Sequence, residues 1–285
     1  MGQITVRKRR FIQCDVFSPV PTRGNGLAVI VDAEGLSDAQ FQTFAAWTNL
    51  AETTFLLPPS DSSADYKLRI FTPTREMLFA GHPTLGSCAA WLHVGGVPKQ
   101  KGLVRQECGI GIVDIDVSGS QFAFVAPPTK IEPLPEEILL AITGALNISS
   151  ESISHTALLD NGPVWSVLQL ESADQVLSVD SSLVRWPEFK AIGLIGAHKD
   201  GDEFDYEVRM LAPSSGMSED PITGSLNAAL AQWMGAKGRL NGSITIAQGT
   251  KINRYGRVSV RTDGSDGKIL IGGDTHILID GHVSL

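Results

Sequence analysis

Hydrophobic and polar residues alternate along most of this chain in short runs, a period that is typical of half-buried β-strands. The clearest runs are 66–70 and 207–210, each followed by a proline that cannot continue a strand ladder. A surface helix near 38–48 is predicted by Ser37 and Gln40, which have capping-box spacing. Further strands are predicted at 25–31, 53–57, 103–106, 111–117, 121–125, 164–170, 243–247, 257–261 and 268–280.

Two other segments place apolar residues on nearly every face of a helix. The first takes Pro83 in its opening turn, where a missing N–H costs little, and ends at 95–96. In the second, Asp220 is a natural N-cap, Pro221 takes the first turn, and Gly235 ends the helix. A helix that is apolar all round is buried, so each is expected inside its own set of strands.

The two halves of the chain repeat short motifs in the same order. The matched pairs are 69–73 with 209–213, 83–87 with 221–225, Asn25-Gly26 with Asn161-Gly162, and Gly109 with Gly249. Each match is weak alone, but four in one order at nearly one offset indicate a duplication. The sequence therefore predicts two similar domains joined near 126–132, with Gly86 superposing on Gly224.

Composition and charge narrow the class of protein. The 285 residues are 42% hydrophobic and 19% charged, as in an ordinary globular chain, and the net charge of −8 argues against nucleic acid as a partner. No apolar run reaches the roughly 18 residues of a membrane span, and the N-terminus lacks a signal-peptide core. Three scattered cysteines favour reduced thiols. We expect a cytoplasmic protein that does not bind a membrane.

The starts of the two buried helices are the candidate chemistry. Unpaired N–H groups at a helix start attract carboxylate or phosphate, although such a motif can also do no more than begin a buried helix. The duplication favours two such starts, with His82 and Asp220, binding one small anion across a cleft between the domains. The chain has no metal-ligand spacing, dinucleotide fingerprint or Gly-rich phosphate loop with a lysine, so no metal or cofactor is expected.

Several motifs together resemble the PhzF-like family of phenazine biosynthesis, within the diaminopimelate-epimerase-like superfamily. They are GNGLAV at 24–29, NLAETTF at 49–55, RIFTP at 69–73, FAGHPTLG at 79–86, ECG at 107–109, EDPITGS at 219–225 and QG at 248–249. The resemblance implies an α+β fold of two pseudo-symmetric domains, each a β-barrel-like mixed sheet around a central helix. It also implies that the last strand returns to the first domain. The first domain would then comprise residues 1–126 plus about 275–285, and the second would comprise residues 132–274. The resemblance further implies a homodimer.

The resemblance also implies a set of site residues. Glu52 would be the general acid and base, and His82 and Asp220 would complete the catalytic group. The substrate would be bound at the two helix starts, by Gly81, Pro83, Thr84, Thr223, Gly224 and Ser225. Related epimerases carry a catalytic cysteine at each helix start, where this chain has Ala80 and Asp220, so a two-cysteine racemase is not expected.

Three residues depart from the family pattern. Gly26 stands where proline is common, Ala51 where serine is common, and Ile222 where a small residue is usual, so that Ile222 is expected to narrow the substrate cleft. Two candidates also have plainer interpretations: a lone glutamate such as Glu52 is commonly a surface residue, and Asp220 could serve only as a helix cap.

The expected function is that of a cofactor-independent isomerase. By resemblance to the dihydro-hydroxyanthranilate isomerase of phenazine biosynthesis, it would shift a proton on a small carboxylate-bearing substrate that is cyclic or amino-acid-like. The alternative is a non-catalytic member of the same fold that binds a small anion or a protein. The presence of Glu52, His82 and Asp220 together favours chemistry, because anion binding needs only the helix starts.

Overall fold

The computed structural model describes residues 6–183, 191–211, 218–240, 242–263 and 267–285. The predicted strand terminator Pro213 lies outside these ranges. In the first part of the chain the elements are β1 (Lys8–Val16), β2 (Asn25–Ile30), α1 (Asp38–Thr48), β3 (Glu52–Leu57), β4 (Tyr66–Phe71), β5 (Glu76–Met77), α2 (Gly81–His93), β6 (Leu103–Cys108), β7 (Gly111–Asp116) and β8 (Phe122–Val125). They continue with β9 (Lys130–Glu132), α3 (Glu136–Leu146), β10 (Ile153–Asp160), β11 (Val164–Leu170), α4 (Ala173–Ser178), β12 (Ile192–Ala197), β13 (Tyr206–Leu211), β14 (Glu219–Asp220), α5 (Gly224–Ala236), β15 (Ile244–Gln248), β16 (Gly256–Thr262), β17 (Ile269–Gly273) and β18 (Thr275–Ser284).

The first compact unit comprises Met1–Val16, Asn25–Phe124 and Asp274–Leu285. Its mixed sheet pairs β1 antiparallel with both β18 and β2, and joins β2 to β3 in parallel through the crossover helix α1. The sheet continues from β3 to β4, from β4 in parallel to β6, and through β7 to β8. Helix α2 packs against β1, β2, β3, β6 and β18, so it is the central helix of this unit.

The second compact unit comprises Phe17–Gly24 and Val125–Gly273. Its sheet runs from β9 to β10 and β11, crosses through α4 to the parallel strand β12, and continues to β13, β15, β16 and β17. Helix α5 packs against β10, β16 and β17. Residues 17–24 fall within the predicted first domain, but they belong to the second unit, where Arg257 N donates to Phe17 O over 2.7 Å.

Both units use the same sequence of strand pairings, which confirms the predicted pair of pseudo-symmetric sheets, each around a buried helix. The motif alignment between the halves was nevertheless wrong at the helices. The short strands pair Ile70 with Met77 and Met210 with Asp220, and each central helix begins four residues after that second partner. Gly224 is the first residue of α5 and therefore matches Gly81, not Gly86.

The assignment of Asp220 and Pro221 to the start of the second helix was also wrong. Asp220 lies in β14 and pairs with β13, and α5 begins only after Thr223, which is its N-cap. Because the sheet fixes the backbone of Asp220, the helix cannot start there. Gly235 lies inside the helix, which extends to Ala236.

The predicted strands and the capped surface helix α1 are present, and the run 268–280 is divided into β17 and β18. Both central helices have 13 residues and are buried along most of their length, as predicted from their apolar faces. Gly86 lets α2 approach the sheet closely, since a Cβ there would lie 2.6 Å from Leu27 Cδ2. Among the helices of the described residues, none combines the length and the apolar character that crossing a membrane requires.

Candidate active site

Three predicted elements of the first unit bring Asn25, His82 and Glu52 together. Asn25 begins β2, Glu52 begins β3, and the parallel register of these strands sets Leu27 opposite Glu52. His82 is the second residue of the central helix α2, which packs against both strands. The N-terminal ends of two parallel strands and one helix thus meet at one place.

The side chains form a line of polar contacts. The Nδ2 atom of Asn25 lies 3.3 Å from Nδ1 of His82, and Nε2 of His82 lies 3.3 Å from Oε2 of Glu52. Asn25 and His82 are buried, whereas the side chain of Glu52 keeps 16% of its surface exposed. Of the three side chains, that of Glu52 is the most exposed, although its Oε2 atom is buried.

Burial determines the protonation of His82. It lowers the pKa of this imidazole from 6.5 to about 3, so the ring is neutral at pH 7. The Glu52 carboxylate favours the charged ring, but the loss of hydration is the larger effect at a side chain that is 4% exposed. His82 therefore carries no proton that it can give to a substrate as an acid near neutral pH.

The amide of Asn25 determines which nitrogen of His82 holds the hydrogen. An amide NH₂ group can only donate, so Nδ1 of His82 accepts from Nδ2 of Asn25 and the ring hydrogen resides on Nε2. This nitrogen lies beside the Glu52 carboxylate, but no hydrogen bond joins it to Oε2 in this structure. The separation of 3.3 Å is long for a charge-assisted hydrogen bond, and catalytic contacts of this kind commonly shorten in the reacting complex.

The remaining predicted residues of this helix start lie in the first turn of α2. Gly81 and Pro83 are its first and third residues, after the N-cap Ala80. The hydroxyl of Thr84 donates to Ala80 O over 2.9 Å and accepts from the Gln106 amide over 3.1 Å. The Thr84 side chain thus supports the helix start from within the protein, and substrate contact by this turn stays a prediction.

In the second unit, Asp220 belongs to a separate buried network. The hydroxyl of Thr223 donates to Asp220 Oδ2 and accepts from Gln248 Nε2 over 3.0 Å. Oε1 of Gln248 in turn accepts from Thr223 N over 3.1 Å and from Asn227 Nδ2 over 2.9 Å. These bonds hold the Asp220 carboxylate in one orientation immediately before α5.

A buried ion pair fixes the strand that carries Asp220. The guanidinium of Arg209 binds Glu219 through two bonds, Nη2 to Oε2 at 2.7 Å and Nε to Oε1 at 3.0 Å. Its Nη1 atom also donates to the carbonyl oxygens of Val176 and Val179. Arg209 neutralises the charge of Glu219, so the negative charge of Glu219 does not repel the neighbouring Asp220 carboxylate without compensation.

In the second unit, Asn161 of the matching Asn-Gly motif binds the start of the central helix. Nδ2 of Asn161 donates to Ser225 O over 2.8 Å, and its Oδ1 accepts from the Trp165 indole over 3.0 Å. Ser225 is the second residue of α5, as His82 is of α2, and it is buried. With Gly224 as the first residue, the predicted binding residues of this half also lie at a helix start.

Two expectations about individual residues change or gain support. Ile222 is fully buried, and a Cβ on Gly256 would lie 2.3 Å from its Cγ1, so Ile222 fills the interior of the second unit instead of narrowing a cleft.

All three cysteines are free thiols, and burial raises the pKa of Cys14 to about 12. The pKa values of Cys88 and Cys108 are raised by burial as well, which suits inert thiols.

The sequence analysis did not select Asn25, Gln248 or Asn227 as site residues. Asn25 and Gln248 were both visible as parts of repeated motifs, Asn-Gly in one case and Gln-Gly in the other. Asn227 carried no signal, because an asparagine inside a buried helix is recognisable only from the partner that satisfies it, here Gln248.

Comparison with known proteins identifies the family. The model of the PhzC-PhzF family, described as phenazine biosynthesis-like proteins, matches residues 14–281. The chain belongs to this family. Its relatives include proteins that are named as isomerases. The chain is therefore assigned to the isomerases of this family.

Three relatives illustrate the range of similarity. Antisense-enhancing sequence 1 of Schizosaccharomyces pombe is 36% identical, over 95% of this chain and 97% of that protein. The trans-2,3-dihydro-3-hydroxyanthranilate isomerase of Pseudomonas aeruginosa is 29% identical, over 91% of this chain and 92% of the isomerase. The solved structure of a predicted epimerase from P. aeruginosa has a TM-score of 0.79 at 26% identity, covering 96% of this chain and 99% of that one. The family similarity therefore extends over nearly the whole chain.

Proposed function

We propose that this PhzC-PhzF protein is a cofactor-independent isomerase that moves a proton between two carbons of a small substrate. In the proposed reaction Glu52 removes a proton from one carbon and returns it to another, so that the substrate and product have the same formula. The substrate carries a carboxylate and is cyclic or amino-acid-like.

The observation that carries this proposal is the contact between Glu52 and a neutral imidazole. A general base must be reachable by substrate and must be held in place, and Glu52 is both partly exposed and faced by Nε2 of His82 at 3.3 Å. Burial lowers the pKa of His82, so the ring is neutral, and its Nε2 atom lies beside the carboxylate without a hydrogen bond to Oε2 in this structure. The pair thus resembles a base with its orienting group.

Asp220 is the second carboxylate that we assign to the reaction. Its hydrogen bond from Thr223 orients it, and its position before α5 sets it beside the start of a helix, where N–H groups favour an anion. We propose that the substrate carboxylate binds at the helix starts, through Gly81, Pro83 and Thr84 or through Thr223, Gly224 and Ser225. A cytoplasmic location and a homodimer are further parts of the proposal, supported by the family resemblance.

Proton exchange with solvent tests the proposed function. The purified protein would be incubated in D₂O with trans-2,3-dihydro-3-hydroxyanthranilate, the compound in the name of the Pseudomonas relative, and with a panel of cyclic amino acids. NMR should show deuterium entering one carbon position, with no added metal or cofactor. Binding of these carboxylates without exchange would favour the non-catalytic alternative.

A further inference from the structure

We infer that Asn25 is a positioning residue that holds His82 in the Nε2–H tautomer and thereby keeps the ring hydrogen on the nitrogen that lies 3.3 Å from Oε2 of Glu52. The inference about the tautomer depends only on the first unit of the structure. Its consequence for turnover rests on the proposed function of Glu52, so the two can fail separately.

The backbone explains why Asn25 can reach the ring. Asn25 is the first residue of β2, two residues before Leu27, and the parallel register places Leu27 beside Glu52. Helix α2 packs on the same strands, which brings its second residue, His82, to the end of both. Asn25 is only 2% exposed, so its amide is fixed within the protein when it meets Nδ1.

The tautomer matters because the ring is neutral. With a pKa of about 3, His82 has one ring hydrogen throughout the neutral range, and only its position can vary. On Nε2 it belongs to the ring nitrogen next to Oε2 of Glu52, although no hydrogen bond joins the two atoms in this structure. On Nδ1 it would leave a lone pair of Nε2 facing the carboxylate at 3.3 Å, an unfavourable contact in a buried place. The Nδ2 atom of Asn25, which can only donate, faces Nδ1 and excludes the second arrangement.

The second unit supplies a matched control for this assignment. Asn161 belongs to the matching Asn-Gly motif before β11, and its Nδ2 atom binds the main-chain oxygen of Ser225. A substitution at Asn161 therefore removes a buried side-chain amide of the second unit and leaves the partner of His82 unchanged.

The experiment measures ¹⁵N shifts of His82 in protein labelled at histidine, with His82→Gln used to assign the signal. At pH 7.5 we expect the hydrogen on Nε2 in the wild type and in Asn161→Ala. In Asn25→Asp the new carboxylate can only accept, so the hydrogen should move to Nδ1 or both nitrogens should be protonated. In Asn25→Ala, a variant for the case in which Asn25→Asp does not fold, both tautomers should be populated. A wild-type ring with its hydrogen on Nδ1, or an unchanged ring in the Asn25 variants, would overturn the inference.

Kinetics distinguish positioning from a merely structural effect. On a substrate found by deuterium exchange, Asn25→Asp should lower kcat by about 10- to 100-fold with a smaller change in KM, since misdirecting a catalytic group can cost about that much. Glu76→Gln, which changes an exposed residue of the same unit, should keep kcat within a few-fold of the wild type. A changed tautomer with unchanged kcat would refute the positioning role. If the wild type shows no turnover on any substrate, the proposed function fails while the NMR result still decides the tautomer.

Discussion

Replacing His82 with glutamine should reduce the loss of stability that acid causes. In the folded protein, burial lowers the pKa of His82 to about 3, whereas the unfolded chain has an ordinary histidine pKa of 6.5. Between these values the unfolded chain binds a proton that the folded protein does not bind. The contribution of His82 to stability is therefore complete above pH 6.5 and is lost progressively as the pH falls towards 3.

The size of the effect follows from the difference between the two pKa values. At pH 5 the pH is 1.5 units below the pKa of 6.5 that His82 has in the unfolded chain. The unfolded histidine is therefore almost fully protonated, while the folded ring remains neutral. Each unit corresponds to about 1.4 kcal/mol, so protonation of His82 alone should lower the free energy of unfolding by about 2 kcal/mol between pH 8 and pH 5.

Urea unfolding at pH 8 and pH 5 measures this difference. Both proteins lose stability in acid through their other groups, but the wild type should lose about 2 kcal/mol more than His82→Gln, because glutamine does not titrate. The comparison within each protein removes any constant cost of the substitution. Equal losses in the two proteins would mean that His82 is not buried as a neutral ring, and the account of the donor to Glu52 would then be wrong.

Two further predictions concern the network around Asp220. Arg209→Met should destabilise the second unit by about 3–5 kcal/mol in urea unfolding, because Glu219 would be left buried without its cation. Adding Glu219→Gln should restore much of this stability. An Arg209→Met protein as stable as the wild type would show that the ion pair does not stabilise the unit. Thr223→Val keeps the shape but removes the hydroxyl between Asp220 and Gln248, so it should cost about 1–3 kcal/mol and lower the exchange rate. Unchanged stability in this variant would show that the hydroxyl is not needed to hold the carboxylate.

The regular parts of the fold were predictable because their signals are local. Alternation predicted most of the longer strands, and the apolar faces of α2 and α5 predicted their burial, since both properties depend on neighbouring residues alone. Helices α3 and α4, strands β9, β10 and β12, and the two-residue strands β5 and β14 were not predicted. Strand β12, Ile192–Ala197, is a short apolar run interrupted by glycine, and its place as a strand depends on pairing with β11 and β13.

The candidate site was predictable only in part for the same reason. Family resemblance pointed to Glu52 and His82, but the contact with Asn25 depends on the register of β2 against β3, which no local pattern encodes. Likewise, Asp220 followed by proline has the local form of a helix start, and only pairing with Met210 in β13 shows that it belongs to a strand. The neutral state of His82 is a consequence of burial, which is a property of the folded unit.

If Glu52 moves the proton, then Glu52→Gln must incorporate deuterium into the substrate more slowly than the wild type. Glutamine has nearly the shape of glutamate but cannot take up and return a proton at neutral pH, so the rate should fall by about 10²- to 10⁴-fold. Glu76→Gln is the matched control, because Glu76 forms an ion pair with Arg69 on the surface of the same unit. We expect the control to retain the wild-type rate and Glu52→Gln to remain folded. A folded Glu52→Gln protein that incorporates deuterium as fast as the wild type would contradict the account.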